Sequence, residues 1–387
     1  MMRGGFSRRS VLRWGCFLGG IGTTPRWLRG AQPRPSGGFI YETASFPECH
    51  ASTLVATSDG VAAAWFGGTE EGHPDVGIWW SRWRPEEGWE APILVAEGVQ
   101  SIGADGKDLR FPCWNPVLVP TPTEGLFLFY KVGPSPDRWW GMVTRSRDEG
   151  KSWGLAMRLP EGILGPVRNK AAICADGSYL FPTSTEAGGP WRVYFERAKA
   201  PFEHSRLSTH WESTALLSTL DGLGGIQPTL LKHPDGTWQA LCRCDSKGNR
   251  ILQTFSKDDG RNWSVLEPID LPNPNSGIDA VTLQDGRFLM VYNHTQRGAI
   301  FPAGRQAIHL AISRDGRTWE ACGILEQREQ GEFSYPAVIQ LKDGSVHITY
   351  TWLRKKIAHR TLDPAQLRSY PIREGKWPQE APDWTVP

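Results

Sequence analysis

The chain alternates short apolar runs with tight turns that contain glycine. An acidic residue followed by glycine recurs six times, at Asp59-Gly60, Glu124-Gly125, Asp176-Gly177, Asp235-Gly236, Asp285-Gly286 and Asp343-Gly344. Apolar runs such as Val61 to Phe66 and Val346 to Tyr350 flank these pairs, which is the pattern of a β-hairpin. The pairs are 65, 52, 59, 50 and 58 residues apart. Repeats of several short strands at that period are typical of propeller blades, so we predict an all-β fold, a six-bladed β-propeller.

A second motif falls at a fixed place in the same repeat. It has the form Ser-x-Asp-x-Gly-x-x-Trp, with complete copies at 146–153 and 256–263, a copy one residue shorter at 313–319 and a weaker one at 81–89. This motif is called the Asp box. We expect its carboxylate to accept backbone N–H groups, its glycine to take positive φ and its tryptophan to fill a gap between strands. The role predicted for it is structural.

Together, these motifs resemble the sialidase (neuraminidase) superfamily of six-bladed Asp-box propellers. The resemblance covers about residues 39–365. It implies that a strand near Phe39 to Thr43 closes the last blade. The remaining residues, 366–387, form a tail rich in proline and tryptophan.

Composition narrows the classes of function. The chain has 387 residues and a net charge of +2, so there is no broad electrostatic case for binding nucleic acid. Its 43 glycines and 30 prolines are too many for a helical bundle. Its 19 tryptophans offer flat apolar faces that suit sugars as well as protein cores.

The N-terminus resembles a twin-arginine (Tat) export signal. Arg8 and Arg9 precede an apolar stretch from about Trp14 to Ile21, and Ala31-Gln32 is a plausible cleavage site. We therefore assign residues 1–31 to export through the Tat machinery, with a periplasmic or secreted product. No later stretch reaches the roughly 18 apolar residues that span a bilayer, so no stable membrane insertion is predicted. The six cysteines after Cys16 have no metal-binding spacing and indicate no particular disulfide pairing, and no metal or cofactor is predicted.

Residues about eight positions before each turn should line the central channel, because the inner strand of each blade begins there. These segments are 48–51, 114–116, 167–170, 226–228, 276–279 and 333–336. Their polar side chains predict a shared pocket, with the candidates His50, Asn115, Arg168, Lys170, Gln227 and Asp279. The alternative is that they are turn residues satisfied by backbone groups.

The resemblance also implies site residues. Sialidases hold the substrate carboxylate with three arginines and use a tyrosine nucleophile, a glutamate that assists it and an aspartate as acid/base. Tyr335 matches the tyrosine, and Arg243 and Arg305 match the second and third arginines. Arginine forks suit carboxylates, and a phenol avoids the repulsion that a carboxylate nucleophile would meet.

Two departures from the family set change the expected chemistry. The segment from Glu48 to Ser52 replaces the motif of the first arginine, and Gln227 replaces the glutamate. Glutamine cannot take a proton, so Tyr335 loses its expected base. The acid belongs in the loop after the first hairpin, where Glu70, Glu71 and Asp75 are all candidates.

Three functions remain open from the sequence. The first is an exo-acting glycoside hydrolase that cleaves a terminal acidic sugar from a glycan, with weak or no ordinary sialidase activity. In it Tyr335 is nucleophile or proton relay, Glu71 or Asp75 is the acid, and Arg243 and Arg305 clamp the carboxylate. The second is a lyase of uronic-acid glycans, in which His50 removes the proton α to the carboxylate and Tyr335 protonates the leaving oxygen. The third is a carbohydrate-binding propeller without catalysis.

Overall fold

A computed structural model describes residues 34–102, 108–202, 210–219, 221–245 and 247–385. The segment assigned to export, residues 1–31, lies outside the described residues. The described chain forms six antiparallel sheets of four or five strands and one separate two-stranded hairpin. The prediction of an all-β, six-bladed propeller is confirmed.

Blades 1 to 3 follow one another along the chain. Blade 1 contains β2 (Glu48–Ala56), β3 (Val61–Gly68), β4 (Gly77–Arg84), β5 (Gly88–Trp89) and β6 (Ile93–Ala96). The separate hairpin consists of β7 (Val99–Ile102) and β8 (Asp108–Arg110). Blade 2 contains β9 (Cys113–Thr121), β10 (Gly125–Val132), β11 (Trp140–Ser146) and β12 (Met157–Arg158). Blade 3 contains β13 (Ala172–Ile173), β14 (Tyr179–Thr185), β15 (Arg192–Ala198) and β16 (Glu212–Ser213).

Blades 4 to 6 complete the ring. Blade 4 contains β17 (Gly225–Lys232), β18 (Trp238–Cys244), β19 (Arg250–Ser256) and β20 (Glu267–Pro272). Blade 5 contains β21 (Asp279–Thr282), β22 (Phe288–Tyr292), β23 (Ala307–Ser313), β24 (Trp319–Gln327) and β28 (Tyr370–Pro371). Blade 6 contains β25 (Phe333–Gln340), β26 (Val346–Trp352), β27 (Lys356–Leu362) and the N-terminal strand β1 (Ser36–Phe39). Each predicted turn joins the first two strands of a blade.

The closing strand starts three residues earlier than predicted. It is Ser36–Phe39 rather than Phe39 to Thr43, and Gly37 pairs with Arg360 of β27. A Cβ on Gly37 would lie 2.2 Å from the His359 carbonyl oxygen, so glycine permits this close backbone approach. The strand that closes the ring therefore includes Gly37 and Gly38 and ends at Phe39.

Apolar side chains fill the space between blades. Six clusters of buried residues lie one at each interface between neighbouring blades. The cluster between blades 1 and 2 also includes Tyr335 of blade 6. The Asp boxes add to these interfaces, since Trp263 of blade 4 stacks on Phe195 of blade 3 with ring centroids 3.8 Å apart. The Asp258 carboxylate accepts from the Asn262 backbone N–H at 2.9 Å, and Gly260 has a φ of 85°. The geometry predicted for the Asp box is confirmed.

The C-terminal segment packs on blade 5. After the short 3₁₀ helix Pro364–Gln366, β28 pairs with β24, and Trp384 is buried in the cluster between blades 5 and 6. Within the described residues, no helix has the length and apolar character needed to cross a bilayer. All six cysteines of that part of the chain are buried and free.

Candidate active site

In several blades the residues predicted to line the channel lie at a β-bulge of the innermost strand. The first strands of neighbouring blades contact one another, as β2 does with β9 and β25. Register shifts interrupt β2, β17 and β25 beside the channel. Ala51, Gln227 and Tyr335 at these bulges have φ of 55°, 55° and 52°, an uncommon conformation for residues with a side chain. The bulges mark one level of the channel, which Asn115 in blade 2 shares with a φ of 38°.

Blade 5 has glycine at that level, and the gap lets two large side chains meet. A Cβ on Gly277 would lie 2.9 Å from Arg168 Nε and 3.3 Å from Tyr335 Cδ2. The Arg168 guanidinium instead lies 4.9 Å from the centroid of the Tyr335 ring. Gly277 is therefore required for the packing of this site.

The Tyr335 hydroxyl is held by blade 4. Arg243 Nη1 donates to Tyr335 Oη at 2.5 Å, and Gln227 Nε2 lies 3.4 Å from the same oxygen. Arg243 also donates to Asn275 Oδ1 at 2.6 Å and to Gln227 Oε1 at 3.3 Å. No described carboxylate forms a hydrogen bond or ion pair with Arg243.

Two further arginines face the same ring. The Arg305 guanidinium lies 5.7 Å from the Tyr335 ring centroid. Arg168 donates to the carbonyl oxygens of Ile278 and Pro336, both in the channel wall. Its Nε is buried with no hydrogen-bond partner among the described residues, and burial lowers the pKa of Arg168 to about 10. The structure thus brings Arg168, Arg243 and Arg305 together around Tyr335.

A fourth arginine, Arg354, joins this group through two carboxylates. Glu332 accepts from Arg305 at 2.9 Å and from Arg354 at 2.8 Å, and Arg354 also pairs with Glu71. Burial opposes the charge of Glu332, but Arg354 and Arg305 outweigh it and lower the pKa of this carboxyl. Among the described residues, Glu332 and Glu71 are the carboxylates that form ion pairs with these arginines. Arg168 and Arg243 form no ion pair with a described carboxylate, although the charges of Asp279 and Glu186 act on them.

His50 lies against the tyrosine. Its ring centroid is 4.1 Å from that of Tyr335, and its Nδ1 is 2.9 Å from Thr351 Oγ1. Burial, and then the charges of the four arginines, lower the pKa of His50 well below its usual value. The imidazole is therefore neutral at pH 7.

Asp279 and Lys170, both predicted to line the pocket, bind each other. Asp279 accepts from Lys170 Nζ at 2.5 Å, from Thr229 Oγ1 at 2.8 Å and from the Val338 N–H at 2.8 Å. Its carboxylate thus links blades 4, 5 and 6 and engages Lys170. Asn115 is buried, and no described residue hydrogen-bonds to its side chain.

The three candidate acids share a loop but differ in their surroundings. Glu70 is exposed, and Glu71 pairs with Arg354. Asp75 accepts from Thr69 Oγ1 at 2.7 Å and lies 2.7 Å from His73 Nδ1. Burial opposes its charge, yet these hydrogen bonds outweigh burial and lower the pKa of Asp75. None of the three hydrogen-bonds to Tyr335.

Sequence reasoning missed Arg354 and Glu186. Arg354 lies in the turn after β26, and Glu186 directly follows β14. The second strand of a blade runs antiparallel to the first, so the loop that follows it returns to the mouth of the channel. From the sequence, we considered the loop after the second strand only in blade 1. The same loops of blades 3 and 6 contain Glu186 and Arg354. In the described part of the chain, no cluster of three or more His, Cys, Asp or Glu side chains could hold a metal ion.

Residues 59–348 match the family described as a BNR repeat-like domain. No curated protein matches the chain. A protein of unknown function from Dyadobacter fermentans DSM 18053 has a TM-score of 0.66 and 17% identity, covering 87% of this chain and 99% of its own. The NanB sialidase of Streptococcus pneumoniae (K499G mutant) has a TM-score of 0.64 and 11% identity over 86% and 71% of the two chains. The intramolecular trans-sialidase of Ruminococcus gnavus has a TM-score of 0.64 and 14% identity over 88% and 100%. At such identities the likeness shows the fold alone.

Proposed function

The chain belongs to the BNR repeat-like family and has the sialidase-type propeller, and from this premise we propose that it is an exo-acting glycoside hydrolase of a terminal acidic sugar. The observation that carries the proposal is the set of guanidinium groups around Tyr335, of which Arg168 and Arg243 form no ion pair with a described carboxylate. Such a pocket favours an anion, and guanidinium forks bind carboxylates with paired hydrogen bonds. Arg243 and Arg305 are the proposed carboxylate contacts, and Arg168 adds positive charge beneath them.

Tyr335 is the proposed nucleophile. Its oxygen accepts the 2.5 Å hydrogen bond of Arg243, which stabilises a phenolate. No described carboxylate hydrogen-bonds to it, and Glu332 is occupied by Arg305 and Arg354. In this mechanism the phenol proton passes to water before attack. The phenolate then displaces the leaving group from the anomeric carbon, and water later cleaves the glycosyl–tyrosine bond.

A uronic-acid lyase is the second candidate, and the contact between His50 and Tyr335 favours it. A neutral imidazole can take the proton α to a carboxylate, and a neighbouring phenol can protonate the leaving oxygen. The arginines disfavour the imidazolium, but a bound substrate carboxylate would offset their field. Gln227 is no obstacle to this route, because it requires no glutamate.

Matched substrates test the proposal. Purified protein is incubated with 4-nitrophenyl β-glucuronide and β-glucoside, which differ only in the carboxylate, and with the 4-nitrophenyl α-glycoside of sialic acid. If the protein is the proposed hydrolase, we expect it to release an acidic sugar. The matched neutral glycoside should be hydrolysed at least ten times more slowly, because a charged hydrogen bond contributes roughly 1.5–3 kcal/mol. An unsaturated, ultraviolet-absorbing product from a uronic-acid glycan would support the lyase. No turnover of any acidic glycan would contradict both.

Export is also part of the proposal. The support is the pair Arg8-Arg9 followed by an apolar stretch. Replacing both arginines by lysine keeps the charge and should retain the unprocessed protein in the cytoplasm of a Tat-competent bacterium. Normal export of that variant would contradict a Tat route.

A further inference from the structure

A cleft of about 360 Å³ lies between blades 2 and 3. The loop after β10 forms one side, and Thr185 and Ala187 at the end of β14 form part of the other. Val132, the last residue of β10, is opposite Cys113, the first residue of β9. The cleft therefore opens on the face of the propeller where the inner strands begin, and it extends outward to Arg158 of β12. Its volume is within the range of about 300–1,000 Å³ that holds small ligands.

The lining of the cleft suits a saccharide. Trp139 is half-buried and contacts Trp114 edge to face with centroids 6.1 Å apart. Charged and hydroxyl groups surround it, among them Asp137, Arg138 and Thr185. An aromatic face beside groups that donate and accept hydrogen bonds matches the apolar face and hydroxyl groups of a neutral sugar.

The end of β14 lies between the cleft and the pocket, which is the site around Gln227 and Tyr335. Ser184 Oγ accepts from the backbone N–H of Gln227 at 3.1 Å, whereas the next residue, Thr185, lines the cleft. Side chains of an extended chain alternate between two sides, so Glu186 lies on the side of Ser184 and of the pocket. Its interaction with the charge of Arg243 agrees with this placement.

The surroundings of Glu186 favour the protonated form of its carboxyl group. It is half-buried, and no described residue gives its carboxyl group a hydrogen bond or an ion pair. Burial raises its pKa, Arg243 opposes the rise, and Asp137 and Glu71 add to it. By contrast, Asp75 has a lowered pKa, and Glu71 is paired with Arg354.

We propose that the cleft between blades 2 and 3 binds the neutral sugar that leaves, and that Glu186, which lies between the lining residues Thr185 and Ala187, is the proton donor. This inference rests on the proposed hydrolase. As Tyr335 Oη bonds to the anomeric carbon, the bond from that carbon to the glycosidic oxygen breaks, and the Glu186 proton passes to that oxygen. The Glu186 carboxylate then takes a proton from water, whose oxygen displaces Tyr335 from the sugar. Glu186 is thereby reprotonated and the phenolate is restored.

Substrates that differ only in the leaving group test Glu186. The acidic sugar released by the wild type is presented as its disaccharide with a neutral sugar and as its glycosyl fluoride, which needs no proton and leaves the cleft empty. Glu186→Gln should lower kcat on the disaccharide at least 100-fold and on the fluoride less than 5-fold. Asp75→Asn should not show this split, and exposed Glu329→Gln is the control. Equal losses on both substrates, or none, would overturn the role of Glu186.

Trp139 tests the cleft separately. Trp139→Ala should lower kcat/KM at least 10-fold on the disaccharide and less than 2-fold on the fluoride, and Trp139→Phe should restore most of the loss. Saturation-transfer NMR with lactose, cellobiose and maltose provides a readout that needs no turnover. A signal from at least one sugar that Trp139→Ala removes and Trp139→Phe keeps supports the site, even if no acidic glycoside is cleaved. In that case the proposed function and the role of Glu186 fail while the cleft stands. No such signal, with no substrate-dependent effect of Trp139→Ala, overturns the cleft as a saccharide site.

Discussion

Arg243 of blade 4 donates a 2.5 Å hydrogen bond to the hydroxyl oxygen of Tyr335 in blade 6. The two residues are 92 positions apart, and the propeller closes that distance across its channel. The contact turns the phenol oxygen into an acceptor of a charge-assisted hydrogen bond. It can stabilise a phenolate but cannot accept the phenol proton, and the neighbouring Gln227 cannot accept it either.

Replacing Arg243 by lysine should impair both binding and catalysis. One ammonium cannot reproduce the fork that reaches Asn275, Gln227 and Tyr335 together. We expect kcat/KM to fall about 10- to 100-fold, the equivalent of roughly 1.5–3 kcal/mol. Steady-state kinetics measure this. Arg250→Lys, on the same blade and half exposed beside Asp270, should stay within about 2-fold; a comparable loss there would show that blade 4 is merely disturbed.

Gln227→Glu should raise activity. The substitution keeps the shape of the side chain at a φ of 55° and places a carboxylate beside Tyr335 Oη, now 3.4 Å from Gln227 Nε2. A positioned base contributes roughly 10²- to 10⁴-fold, and we expect at least a 10-fold rise in kcat at pH 7. Gln227→Met is the control without a base and should not show the rise. A lower kcat in Gln227→Glu would mean that the neutral amide is itself required.

Acid should destabilise the fold through buried histidines. Burial lowers the pKa of His294 from 6.5 to about 4. Between these values the unfolded chain binds a proton that the folded chain does not, so the free energy of unfolding falls as the pH drops from 6.5 to about 4. Thermal unfolding followed by circular dichroism should show Tm falling over this window. His294→Gln should reduce the fall by up to roughly 3 kcal/mol, whereas exposed His210→Gln should not; parallel curves for all three proteins would refute the assignment.

The Asp boxes should matter for stability and not for chemistry. Asp258 accepts from Ser256 Oγ at 2.8 Å and from Asn262 N and Nδ2 at 2.9 and 2.6 Å. Its loss resembles the loss of a helix cap, so Asp258→Ala should lower the free energy of unfolding by about 1–2 kcal/mol. Urea unfolding measures this, and kcat per folded molecule should not change. Asp270→Ala, 89% exposed, should stay within about 0.5 kcal/mol. A loss of kcat in Asp258→Ala would give the box a part in the reaction.

The fold could be predicted from sequence because its signals are local. A turn such as Asp343-Gly344 and a box such as 256–263 report their own backbone conformation, and their period counts the blades. Positions counted back from the turns also pointed to Arg168, Gln227 and Tyr335, which lie close together in the structure. The counting works because every inner strand enters the channel at the same distance from its turn.

The charge pattern of the pocket could not be predicted, because pairing between blades is not local. The Asp279 carboxylate binds Thr229 and Val338 of the neighbouring blades. The sequence does not show whether it makes these contacts or faces a ligand. Arg354 and Glu186 come from loops after second strands, whose lengths differ from blade to blade. The repeat locates these loops but does not say which residue of each loop reaches the channel, and that is visible only in three dimensions.

Tyr335→Phe tests the central claim most directly. The variant removes one oxygen and keeps the ring that packs against His50 and Arg168. Turnover of the acidic glycoside and calorimetric affinity for the free acidic sugar are measured on the same preparation. The account predicts that turnover falls at least 100-fold while affinity changes less than about 3-fold. Full turnover by Tyr335→Phe, or robust release of sialic acid by the wild type despite Gln227, would contradict it.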